Sequence, residues 1–125
     1  MGFLIEHEEF GRLVFCTDTN SIPYKFKNVN HFIVESNYSD ELMIDNMCND
    51  VYSRSASDNH MEINDTIEFL KRNYSSDCNT IVLIHLSQGN ADPKAFKKKV
   101  QEELGFSNVY VARKGLEVEL LKEEF

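Results

Sequence analysis

The chain has 125 residues, 13 basic and 21 acidic side chains and a formal net charge of −8. A hydrophobic fraction of 42% sits in the globular range and argues against disorder, and a chain of this length can close one core without staples, so a single domain over residues 1–125 is expected. The acidic balance disfavours unaided nucleic-acid binding, because phosphate contacts draw their affinity from Lys and Arg and the counterions they displace; solubility, or a partner with a basic face, fits it better.

Along the chain, apolar runs at residues 2–5, 13–16 and 32–35 read as short strands. A helix is expected over 39–48, aligning Met43 with Met47 and Ile44 with Cys48. A second, over 61–74, places Ile63, Ile67, Leu70 and Tyr74 on one face, with Asn59 and Glu62 spaced like a capping box. A strand follows at 81–85. The clearest helix is 93–104: Asp92 can cap it, Pro93 suits its first position, Phe96, Val100 and Leu104 form its stripe and Gly105 can end it. Runs at 109–112 and 116–120 flank Arg113-Lys114-Gly115, and the alternation of Leu116, Val118 and Leu120 with Glu117 and Glu119 predicts a closing hairpin. The order β-β-β-α-α-β-α-β-β implies an α/β layered domain.

Three cysteines, Cys16, Cys48 and Cys78, with long gaps and no Cys-x-x-Cys, indicate neither a disulfide framework nor a zinc knuckle and point to the cytoplasm. No segment approaches the ~18 apolar residues of a membrane span, so no membrane partner is expected, and the Asn-x-Ser/Thr triplets at Asn37, Asn64 and Asn73 are read as chance matches. Lys94, Lys97, Lys98 and Lys99 form a small basic patch that reads as a solvated helix face, and Glu123-Glu124 as an acidic tail.

Ligands of α/β domains gather at the carboxyl ends of buried strands. Two expected strands end there on chemistry: 13–16 runs into Thr17-Asp18-Thr19-Asn20, and 81–84 into His85-Leu86-Ser87. Carboxylate and imidazole together can bind zinc, manganese or iron, but a catalytic zinc needs three protein ligands and an open position. The plainer readings stand beside this one: Asp18 as a turn residue, His85 as a core histidine, His60 as a cap-region residue, and His7 and His31 as exposed.

Taken together, Leu13-Val-Phe-Cys-Thr-Asp-Thr19, Phe32-Ile-Val-Glu-Ser-Asn-Tyr-Ser39, His60-Met61-Glu62, Ile81-Val-Leu-Ile-His-Leu-Ser87 and Gly115-Leu-Glu-Val-Glu-Leu120 resemble the C-terminal half of metallo-β-lactamase-fold hydrolases of bacteria and their phages. The resemblance implies half of an αββα sandwich: a sheet of about five to six strands with about three helices on one face. It likens Asp18 to the Asp that bridges two metals, His85 to the last metal-binding His, and His60 to a histidine that assists at the scissile phosphate. The first-half His-x-His-x-Asp-His motif is not in this sequence, so too few ligands are expected for unaided hydrolysis and no cofactor is expected for the chain alone. Zinc or manganese becomes possible if a partner completes the site. The expected function is a non-catalytic, acidic protein-binding or inhibitory module, of the kind phages direct against nucleic-acid-targeting defences such as CRISPR-Cas. The alternative is half of a metal-dependent phosphodiesterase or nuclease. In either case an apolar sheet face is left for a homodimer or another protein.

Overall fold

The computed structural model describes residues 1–47 and 60–122. Five strands form one sheet in sequence order: β1 (Gly2–His7), β2 (Gly11–Cys16), β3 (His31–Glu35), β4 (Thr80–Ile84) and β5 (Val109–Val111). β1 lies antiparallel to β2, and β2 to β5 run parallel. Helices α1 (Asp40–Met47) and α2 (Ile63–Asn73) join β3 to β4, and α3 (Pro93–Leu104) joins β4 to β5. The architecture is thus α/β, a five-stranded sheet with three helices among the described residues.

Parallel strands added one beside the next in a single direction, through right-handed crossovers, put their connecting helices on one face. Val14, Phe32, Ile81 and Val109 share one row of that face, and Cys16, Val34, Leu83 and Val111 the next. Both rows pack into one core with Ile63, Ile67 and Leu70 of α2 and Phe96 and Val100 of α3. At its centre the buried rings of Phe32 and Phe69 meet edge to face, 6.1 Å apart, a preferred aromatic geometry.

Local signals explain the helix ends. Asp92 accepts from the Ala95 N–H at 3.2 Å, Pro93 opens α3, and Gly105, at φ 62°, stops it. Glu62 is itself the cap of α2, accepting from the Asn64 N–H; Asn59, the expected start of a capping box, and Cys48, at the expected end of α1, lie outside the described residues, as does Glu123-Glu124. The lysines of α3 are exposed, as expected for a solvated face.

The opposite face carries Phe3, Phe15, Ile33, Val82 and Tyr110 in one row. Here two expectations fail. Residues 116–120 form no strand beside β5. Leu116, Val118 and Leu120 are half-buried and Glu117 and Glu119 exposed, so the alternation is genuine. However, the segment returns towards the amino ends of the strands, where Asn79 Nδ2 donates to the carbonyls of Leu121 and Lys122 at 2.9 and 2.7 Å and the Lys122 N–H donates to Glu9 O at 3.1 Å. His31, expected to be exposed, is buried; the carbonyls of Phe10 and Leu121 stand near its ring, and burial lowers its pKa against their pull. Part of this face stays wet: Phe3 and Ile5 of the edge strand are 51% and 44% exposed.

At the amino ends of the strands, Asn30 staples three of them. Its Oδ1 accepts from the Arg12 N–H at 2.9 Å, its Nδ2 donates to Asp77 O at 3.0 Å, and its carbonyl accepts from the N–H groups of Asn79 and Thr80. Gly11, at φ +82°, sits against this staple, and a Cβ there would lie 2.2 Å from Asn30 Oδ1. Gly11→Ala combines a left-handed backbone with a clash at a buried side chain, so it is expected to cost about 2–4 kcal/mol in urea denaturation; a loss under about 0.5 kcal/mol would show that the staple yields freely.

Candidate metal centre

The carboxyl ends of β2, β3 and β4 lie side by side, and each delivers one group. Asp18 follows β2 by two residues, Glu35 is the last residue of β3, and His85 is the first after β4. His60 joins them from the entry to α2. The four side chains each present a potential ligand atom within 4.8 Å of all the others.

Glu35 is the buried centre of the group, and its side chain is 0% exposed. His85 Nδ1 lies 2.5 Å from its Oε1, and His60 Nδ1 lies 3.2 Å from Oε1 and 3.3 Å from Oε2. The Met61 N–H donates to Oε2 at 2.9 Å, and the Asp18 N–H and Thr17 Oγ1 approach Oε1 at 3.3 and 3.4 Å. Asp18 Oδ1 lies 3.5 Å from His85 Nδ1, and the two imidazoles meet edge to face with centroids 4.8 Å apart. Side-chain exposure rises from Glu35 through His60 at 22% to His85 at 46% and Asp18 at 54%, so the cluster is closed below and open above.

Two of these residues hold a backbone that L side chains seldom adopt: Asp18 has φ 55° and His85 φ 57°. Each such residue costs roughly 1–2 kcal/mol, a cost that persists where surroundings enforce it. Around His85 the enforcement is visible. Asn37 Nδ2 donates to the His85 carbonyl at 2.7 Å, its own carbonyl accepts from the Ser87 N–H at 2.8 Å, and its N–H donates to Met61 O at 2.9 Å. One asparagine thereby ties the turn carrying His85 to the residue next to His60. Below it, Thr66 Oγ1 donates to Glu35 O at 2.8 Å, fixing the end of β3 to α2.

The sequence-predicted residues Asp18, His60 and His85 thus meet, while His7 lies apart on the edge strand and His31 under the carboxyl-terminal segment. Glu35 was missed. The strand-end rule that singles out Asp18 and His85 applies equally to Glu35, but the residue reads as the polar end of a strand and its burial is set by tertiary contacts. A groove of about 720 Å³, lined by residues including Glu6, Arg12 and Asp77, contains none of the four.

The donor set fits a divalent transition metal. Two imidazoles and two carboxylates suit zinc or manganese, and each of the four residues brings a potential ligand atom within 4.8 Å of the others. No family model, curated protein or solved structure matches the chain. Among the described residues, no helix is long and apolar enough to cross a membrane.

Proposed function

We propose that the chain is a divalent-metal-binding module of a phosphate-ester hydrolase, completed by a second polypeptide seated on the face of its sheet opposite α2 and α3. The observation that carries the reading is the convergence of Asp18, Glu35, His60 and His85 at one rim. The substrate class rests on the resemblance of the strand-end motifs to metallo-β-lactamase-fold enzymes. A bound ion would polarise a phosphoryl oxygen and lower the pKa of a coordinated water. The chain's own contribution is to hold the open, half-exposed imidazole and carboxylate of His85 and Asp18 over a buried anchor. The apolar side chains of Phe3 and Ile5, beside half-buried Phe15 and Ile33, offer a seat for the second polypeptide, another copy or a separate half.

A second reading, a non-catalytic acidic binding or inhibitory protein, is favoured by one observation: the carboxylates and imidazoles already satisfy one another, so Glu35 is paired without an ion. The net charge of −8 suits a basic target surface. Native mass spectrometry of protein never exposed to a nickel column separates the two. The first reading expects one transition metal per chain in an assembly larger than one chain; a metal-free monomer would overturn it in favour of the second.

A further inference from the structure

We infer that Glu35 is a positioning residue: its buried carboxylate fixes His60 and His85 as Nδ1–H tautomers and so leaves the Nε2 atoms of both rings free to hold the ion. A carboxylate offers about four lone-pair sites. Glu35 is met by five donors or ring nitrogens: the N–H groups of Met61 and Asp18, Thr17 Oγ1, and Nδ1 of His60 and of His85. No lone pair is left over for a metal. Because an ionised carboxylate only accepts, a neutral imidazole facing it through Nδ1 carries its proton on that atom and leaves Nε2 bare. Carboxylates that grip the far nitrogen of metal-binding histidines are a general device for orienting the ring and raising its basicity; here one carboxylate serves two rings, which also accounts for its complete burial. The ligand set becomes Asp18, His60 and His85, three protein groups with an open side.

The inference rests on the metal-site reading for the purpose of the Nε2 atoms, but the tautomers themselves are measurable without metal. Long-range 1H–15N correlation spectra of metal-free protein, with the imidazoles neutral, are expected to show the Nδ1–H pattern for His60 and His85. His7 is an internal control of the opposite kind, since its Nδ1 accepts from the Glu9 N–H at 3.1 Å. In Glu35→Gln, whose amide has a single acceptor oxygen, at least one ring is expected to lose the Nδ1–H form and zinc affinity to fall about 10–100-fold, while Asp18→Asn leaves both tautomers unchanged. An Nε2–H pattern for either ring in the wild type, or unchanged tautomers in Glu35→Gln, would overturn the assignment. Should Glu35→Gln fail to fold, the wild-type spectrum decides alone. Nδ1–H rings in a protein that takes up no zinc would uphold the role of Glu35 and refute the metal-site reading; zinc binding with Nε2–H rings would do the reverse.

Discussion

Replacing Asp18 and His85 together by asparagine is expected to weaken zinc binding more than about 100-fold by titration calorimetry, since loss of two ligands should exceed the 10–100-fold effect of losing an outer partner. The fold should survive. Both positions are left-handed, at φ 55° and 57°, and asparagine is among the residues that best tolerate that region. Neither side chain is deeply buried, at 54% and 46% exposure, but His85 is a partner of the buried Glu35 carboxylate, so the unfolding free energy should fall by about 1–3 kcal/mol. Undiminished zinc affinity in a folded double variant would remove both residues from the centre.

The second large effect concerns the platform. Phe32→Ala should cost about 3–5 kcal/mol, a large share of the stability of a domain this size. Phe32 is fully buried, lies in a row between Val14 and Ile81 and packs edge-on against Phe69, so no collapse of one neighbour refills its volume. Phe3→Ala, on the wet part of the opposite face, should cost under about 0.5 kcal/mol in the isolated chain. Urea unfolding of the two variants reads both values. Because Glu35 ends the strand that Phe32 anchors, the Phe32 variant should also lose zinc binding with the same midpoint as its fold, whereas equal costs for the two phenylalanines would mean that the sheet faces are not as unlike as described.

What the sequence disclosed follows from the range of the forces involved. α3 was legible to the residue because Asp92, Pro93 and Gly105 act within one turn, and α2 nearly so because its stripe of Ile63, Ile67 and Leu70 is long. Residues 116–120 show where such reading stops. Alternation reports that one side of an extended segment is dry, and it does not say whether the neighbour is a hydrogen-bonded strand or a sheet face; here the end of the segment is held by Asn79 and Glu9. The misplacement of His31 has the same root, since one of the two carbonyls near its ring belongs to Leu121, 90 positions downstream.

For the site, strand ends were enough to single out Asp18 and His85, and the family resemblance added His60. Glu35 depended on three-dimensional facts: the parallel register that sets β3 between β2 and β4, and the approach of Met61 and His60 from the start of α2. A buried carboxylate is costly unless paired, so its position at the meeting point of two imidazoles is the detail that turns three scattered polar residues into a centre.

The most direct test of the central claim is X-ray absorption at the zinc edge on protein carrying one equivalent of zinc. The result expected is a first shell of nitrogen and oxygen at about 2.0–2.1 Å with the outer-shell scattering of two imidazoles, one of which disappears in His60→Ala. Zinc that washes out on desalting, or a bound ion whose spectrum lacks imidazole scattering, would contradict it.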